Sequence, residues 1–306
     1  MNRIVSLIAS STEIVCRLGL RDELVGVSHE CDFPGNVSEL AVCSKPRIDV
    51  NGTSREIDDR VKTALKDALS VYEVRRDVLI ELDPTIIITQ TQCDVCAVNL
   101  KDVEAAVCDW LGTQPAIVSL EPNELSDVWT DIQRVADAAG VAGRGRDLVT
   151  ELQTGLAEIR ERSSKLKERP TVACIEWMDP LMAAGNWIPE LVEIAGGRSL
   201  FGVAGKHSPW MTWDELVAAD PDLIITTPCG FDIGRTLEEI HLLTERPGWS
   251  DLKAVRNQRA YVTDGNAYFN RPGPRLLEST RILAELFHPG EFPAEFEGHG
   301  WIPIKG

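Results

Sequence analysis

The sequence predicts an α/β fold made of two similar lobes joined by one long helix. Three observations carry that expectation. Short apolar runs alternate with amphipathic helical stretches, the βαβ rhythm of a parallel sheet. A helical stretch from Glu124 to Arg169 interrupts the rhythm midway, and one strand-bearing segment recurs on either side of it. At 306 residues the chain also exceeds what a single ordinary core organises.

The first lobe, residues 1–122, opens with Arg3 to Ile8 as a strand, Ser10 to Leu18 as a helix closed by Gly19, and Leu24 to Ser28 as a second strand. Thr53-Ser54-Arg55-Glu56 has capping-box spacing and starts a helix running to about Leu69. Thr85 to Thr89 reads as a strand. Asn99 is placed to cap a helix whose stripe is Val103, Ala106, Val107, Trp110 and Leu111, with Gly112 as its stop. Ala116 to Leu120 closes the sheet.

Residues 123–169 form the helical connection, with breaks expected at Gly140 and around Gly143 and Gly145. The second piece carries Leu148, Leu152, Leu156 and Ile159 on one stripe. A helix of about 24 residues reaches roughly 36 Å, the length of a spine rather than of a flexible linker. In the second lobe, residues 170–287, Val172 to Glu176, Leu223 to Thr226 and Ala260 to Thr263 read as strands. Ile188 to Ile194 reads as a helix stopped by Gly196-Gly197, and Pro274 to Leu286 as the final helix. Residues 288–306, rich in Pro and Gly, read as an irregular tail.

The recurring segment runs from Asp77 to Thr89 and again from Asp214 to Thr226, at a constant offset of 137. Helix, Asp-Pro and strand coincide in both copies. A helix, Asp-Pro and a strand form a common connection by themselves; with the restart after Pro170 they support two related lobes.

Lys and Arg number 31 against 48 Asp and Glu, a formal charge of −17. That balance argues against nucleic acid as a partner and against an electrostatic grip on anionic lipid. No stretch approaches the roughly 18 apolar residues of a membrane span. Met1-Asn2-Arg3 leads straight into the first strand without a signal-peptide pattern. A cytoplasmic location is therefore expected, or a periplasmic one if the sequence is a processed or trimmed form. G-x-S-x-G, H-E-x-x-H and P-loop spacings are absent, so no catalytic residue is assigned and a non-enzymatic role is expected.

The eight cysteines are too scattered for a disulfide scaffold. Cys16, Cys108 and Cys174 lie among apolar residues as small core hydrophobes, whereas Cys31, Cys43, Cys93, Cys96 and Cys229 lie in turn-like stretches. Cys93 and Cys96 are the only close pair, and three readings of them stay open. They ligate Zn or Fe, with Cys31, Cys229 and His29 as further ligands; they form a redox dithiol; or they are ligand-lining or structural thiols.

Several segments now share one resemblance. Arg3-Ile4-Val5-Ser6-Leu7 followed by Ser11-Thr12-Glu13-Ile14, and Leu24 to Ser28 with Cys31-Asp32-Phe33-Pro34, are two of them. With the two Asp-Pro segments, the spine helix and Pro274-Arg275, they resemble the binding proteins of bacterial ABC importers for cobalamin and iron chelates. The similarity covers nearly the whole chain and is closest to leaderless homologues of the cobalamin-binding branch. It implies two Rossmann-like lobes with a ligand cleft between them and little hinge motion. It also implies cobalamin or a related corrinoid as ligand, and an ABC importer permease as partner. One docking acid per lobe is implied too, falling on Asp77 and Asp214 by distance to Asp-Pro, with Glu81 and Glu215 nearby.

Open α/β sheets bind ligands beyond the carboxyl ends of their strands, so segments that follow strands hold the candidates. In the first lobe these are His29, Glu30, Cys31, Gln90, Gln92, Cys93 and Cys96, with Tyr72 just ahead of the Asp77 segment. In the second they are Trp177, Met178, Asp179, Pro228, Cys229, Asn266, Tyr268, Phe269 and Arg271, with Trp187, Trp210 and Trp213 nearby. A corrinoid is broad, flat and partly apolar with amide side chains, which suits aromatic walls bearing a few amides. Trp177, Tyr268 and Arg271 lead the ligand-binding set, followed by Trp210, Tyr72, Gln92, Asn266, Phe269 and Met178. Core packing is the competing role for each aromatic. Two functions emerge: non-catalytic capture of a corrinoid or related metal chelate, and, as the alternative, a cytosolic metal- or cluster-binding protein or enzyme that uses the cysteines.

Overall fold

In a computed structural model, residues 1–66, 71–91, 100–107 and 114–305 are described. Packing divides the chain into two units, one of Met1–Gly52, Glu56–Pro122 and Ser126–Glu151, the other of Thr53–Arg55, Asn123–Leu125 and Leu152–Gly306.

Up to residue 138 the chain runs through β1 (Ile4–Ser6), α1 (Ala9–Arg17), β2 (Leu24–Val27), β3 (Ala41–Val42), β4 (Ser44–Pro46) and α2 (Ser54–Lys66). It continues through β5 (Tyr72–Val74), α3 (Arg76–Leu82), β6 (Ile86–Gln90), α4 (Leu100–Val107), β7 (Ala116–Leu120) and α5 (Leu125–Ala138). Five strands form one sheet in the order β3-β2-β1-β6-β7, every pair parallel. Central strands of such a sheet are covered on both faces and need continuous apolar sequence. Ile86, Ile87 and Ile88 supply it, opposite Ile4, Val5 and Ser6. Gly26 is required in β2, because a Cβ there would lie 2.6 Å from Cys43 Sγ and 2.7 Å from a Leu82 methyl. The chain steps from β1 to β2 on one side and later to β6 on the other, so the strand order reverses between β1 and β6.

The helix α6 (Ala142–Ser164) is continuous, and Leu148, Leu152, Leu156 and Ile159 are buried along it as the stripe required. Gly140, at φ +74°, lies between α5 and α6, as expected of a break. Gly143 and Gly145 do not break the helix. A Cβ on Gly145 would sit 2.5 Å from Ala136 Cβ, so the glycine lets α6 cross α5 closely, at a cost in helix propensity.

From residue 171 the chain runs through β8 (Thr171–Trp177), β9 (Met182–Ala183), α7 (Ile188–Ile194), β10 (Arg198–Ser199), α8 (Trp213–Ala219) and β11 (Leu223–Thr226). Then follow α9 (Ile233–Glu239), α10 (His241–Thr244), α11 (Lys253–Arg256), β12 (Ala260–Thr263), α12 (Leu276–Phe287) and β13 (Trp301–Pro303). The sheet order is β10-β8-β11-β12-β13, parallel except for β13, with β9 antiparallel to β8. Here the order reverses between β8 and β11. The segment 288–306 is more than an irregular tail, since β13 pairs with β12 and buried Glu285 accepts from Trp301 Nε1 and from the Glu295 N–H, both at 2.9 Å. A three-residue strand ending in Pro303 is tolerated at an edge, where one face of the ladder needs no donor.

The 137-residue repeat holds in the structure. Leu79 of α3 and Leu216 of α8 are both fully buried. Asp83 and Asp220 end those helices in the same left-handed conformation, φ 41° and ψ 60° against φ 40° and ψ 63°. Each is followed by proline and a buried strand.

Candidate functional site

In an open α/β sheet the crevice for a ligand lies beyond the strand carboxyl ends where the strand order reverses. In the second unit that place is bounded by the end of β8 and the loop after β11. Trp177 ends β8 half-buried, its ring 5.1 Å from that of buried Phe231 and tilted by 52°. The Arg235 guanidinium lies over the Phe231 ring, 4.2 Å from its centroid, and is itself held by Glu239. The Trp177 indole N–H is buried and has no hydrogen-bond partner among the described residues.

The loop after β12 is tied to the loop after β11. Asn270 Nδ2 donates to the carbonyls of Thr227 and Gly265, both at 3.0 Å, and the Asn266 N–H donates to Phe231 O at 3.0 Å. A Cβ at Gly265 would come within 2.2 Å of the Pro228 carbonyl, so the approach of the two loops depends on glycine. On this platform Arg271 is buried, with Nη2 donating to Asn266 Oδ1 at 2.9 Å. Tyr268 is half-buried between the Phe296 ring at 5.9 Å and the Arg275 guanidinium at 5.5 Å. Burial pushes the Asp264 carboxyl above its usual range, against the pull of the Ala267 N–H. Trp177, Asn266, Tyr268 and Arg271 therefore all belong to the carboxyl-end edge of one sheet. Trp210 is 55% exposed and bridges to Met182. Met178 and Phe269 are fully buried, Met178 in the core beneath β8, Phe269 with its carbonyl accepting from Trp187 Nε1 at 2.8 Å.

In the first unit, His29 Nδ1 lies 2.8 Å from Ser44 Oγ and its ring is 5.1 Å from that of Tyr72. The Tyr72 hydroxyl donates to Glu30 Oε1 at 2.6 Å. Burial lowers the pKa of His29 and favours the neutral imidazole. Cys31 is buried with Sγ 3.1 Å from Thr12 Oγ1, which also lies 2.7 Å from Ser6 Oγ. Gln90, at the end of β6, is buried.

Gln92, Cys93 and Cys96 lie outside the described residues. Among the described residues no group of three or more His, Cys, Asp or Glu side chains could hold a metal ion. His29 and Cys31 belong to the first unit and Cys229 to the second. Cys43 and Cys174 are buried, and burial pushes each thiol up to about 12, which keeps them protonated and unsuited to ligation. Asp77 and Asp214 are exposed in the first turns of α3 and α8. Glu215 is engaged locally: it closes a capping box with Thr212, accepting from the backbone N–H at 2.7 Å and from Oγ1 at 2.8 Å.

Sequence reasoning missed Phe231 and Arg235, which build the wall on which Trp177 rests. They follow β11 as closely as the candidates do, and that position was the available signal. The grouping of His29, Glu30 and Tyr72 was also hidden, because it depends on the pairing of β4 with β5.

Residues 4–267 match the family described as periplasmic binding protein. The chain belongs to that family. Among its relatives is an uncharacterized ABC transporter substrate-binding lipoprotein, YvrC of Bacillus subtilis, 24% identical over 95% of this chain and 81% of the relative. Another is the vitamin B12-binding protein of Vibrio parahaemolyticus, 19% identical over 94% and 90%. Among solved structures, the apo periplasmic heme-binding protein RhuT of Roseiflexus superposes with a TM-score of 0.69 at 22% identity, covering 95% of this chain and 99% of the other. The periplasmic vitamin B12-binding protein BtuF of Vibrio cholerae gives 0.67 at 18%, covering 94% and 96%. These likenesses show a shared two-lobed α/β fold. Homologues in the family are substrate-binding proteins, which are non-catalytic.

Membership corrects one expectation. A cytoplasmic location was inferred from the opening residues, but the family's relatives are periplasmic proteins or lipoproteins. The first residues enter directly into β1 and carry no information on export. Nor do these relatives support the alternative of a cytosolic cluster protein or enzyme.

Proposed function

We propose that this protein is the ligand-capturing component of an ABC importer, binding a corrinoid of the cobalamin type or a related metal chelate without transforming it. The observation that carries this reading is the rim at the strand-order reversal of the second unit. There Trp177 packs against Phe231, and Asn266, Tyr268 and Arg271 belong to the adjoining loop. Aromatic surface beside a few fixed polar groups suits a broad macrocycle edged with amides, because it buries apolar area while answering the ligand's carbonyls. Relatives named as vitamin B12-binding proteins support the choice of corrinoid. Asp77 and Asp214, exposed on α3 and α8, are proposed as contacts for basic side chains of the importer permease.

Titration of the intrinsic tryptophan fluorescence with cyanocobalamin tests the rim. The native protein is expected to show saturable quenching, and Trp177→Ala to weaken binding by about tenfold or more, the effect of losing a buried aromatic anchor. Binding of native strength in Trp177→Ala, with unfolding unaltered, would remove Trp177 from the site.

A further inference from the structure

The match to the family ends at residue 267, one residue before Tyr268, and the role of the chain beyond it has to be read from its contacts. Residues 295–301 are tied to α12 through one buried side chain. Glu285 accepts from the Glu295 N–H at 2.9 Å, from the Phe296 N–H at 3.3 Å and from Trp301 Nε1 at 2.9 Å. A buried carboxyl is tolerated only where donors meet it, and here three come from one short segment. A polar anchor satisfied in this way specifies a single arrangement of the segment, where apolar contacts alone would admit several. Gly300, at which a Cβ would lie 2.9 Å from Phe296 Cβ, lets the chain pass close to Phe296. Its carbonyl accepts from the Asp264 N–H at 3.0 Å, at the start of the loop that carries Tyr268.

The two aromatic rings fixed by this anchor go to different places. Trp301 meets Tyr261 of β12 edge-on, with centroids 5.4 Å apart, and so belongs to the pairing of β13 with β12. Phe296 instead meets the half-buried Tyr268 ring edge-on, at 5.9 Å and 87°. An aromatic ring that lies against a ligand binds better when held beforehand, because ordering it on binding costs affinity. We infer that Phe296 and Glu285 are positioning residues of the ligand site: Phe296 fixes the Tyr268 ring, and Glu285 fixes Phe296. α12 then holds Tyr268 twice, through Arg275 just ahead of its first turn and through Glu285 in its last. The inference rests on the ligand site proposed above and adds two residues that act on a corrinoid or related chelate only through Tyr268.

Calorimetric titration with cyanocobalamin across a double-mutant cycle is the test. Tyr268→Ala is expected to weaken binding by about tenfold or more. Phe296→Ala, which leaves Tyr268 in place without its support, is expected to weaken it by about threefold to tenfold, the ordering cost of one side chain. Because Phe296 acts through Tyr268, the two losses do not add, and the double variant is expected to bind within about twofold of Tyr268→Ala. Glu285→Gln keeps the size of the side chain but turns an acceptor towards a donor, and is expected to follow Phe296→Ala. It makes the same comparison should Phe296→Ala fail to fold, and urea unfolding checks that each variant is folded under the titration conditions. Native affinity in Phe296→Ala and Glu285→Gln would overturn the inference while leaving the site in place. So would a loss in Phe296→Ala that adds in full to that of Tyr268→Ala, the mark of general loosening rather than placement of one ring. Native affinity in Tyr268→Ala, or no binding of cyanocobalamin by the native protein, would strike the proposed site and the inference with it.

Discussion

Asp222 and Asp131 are two carboxylates whose surroundings push them in opposite directions. Burial works to raise the pKa of Asp222, but hydrogen bonds from Lys253 and from the Thr171 N–H and hydroxyl, the latter two at 2.8 Å, outweigh it and bring it down to about 2. Asp131 is raised to about 6 by burial, which the Glu121 N–H and the Arg134 guanidinium only partly offset. The linkage signs follow. For Asp222 the folded value lies below the unfolded one, so its stabilisation is present above about pH 4 and is lost as the pH falls towards 2. For Asp131 the folded state holds its proton more tightly, so stability declines as the pH rises from about 4 through 6. Urea unfolding across pH 2.5 to 7 is expected to show a shallower acid loss in Asp222→Asn and a flatter profile between about pH 4 and 6 in Asp131→Asn. An unchanged profile in either variant would assign the pH dependence to other groups.

Among the elements, Gly145 gives the sharpest test of packing against propensity. Alanine is the better helix former by about 1 kcal/mol. Its Cβ in α6 would nevertheless stand 2.5 Å from Ala136 Cβ. Overpacking of this kind costs roughly 1–3 kcal/mol, so Gly145→Ala is expected to lower the unfolding free energy, whereas a gain would mean that α5 and α6 are not tightly crossed. The same helix shows what a sequence conveys and what it withholds. Ala116–Leu120, Leu223–Thr226, Ala260–Thr263 and Ile188–Ile194 were read at their observed limits, because apolar runs bounded by Gly, Pro and charge are local signals. Gly143 and Gly145 were misread as breaks; the reason for Gly145 is a neighbouring helix, and nothing in the structure requires glycine at 143. The strand Trp301–Pro303 went unseen because it exists only through pairing with β12.

At the scale of the whole molecule, one repeat organises the account: two units of related topology, each with its strand order reversing beside the first strand. The strand-end rule led from sequence to Trp177, Asn266, Tyr268 and Arg271, which the end of β8 and the loop after β12 carry. It stopped short of Phe231 and Arg235, whose stacking is a tertiary fact. It also gathered Met178 and Phe269, which are core residues, since position after a strand does not say which way a side chain turns. The central claim is that this family member captures a corrinoid, and isothermal titration calorimetry with cyanocobalamin and with hemin, side by side, tests it most directly. The account predicts one saturable transition at a single site with cyanocobalamin; no binding of cyanocobalamin, or saturable binding of hemin alone, would contradict it.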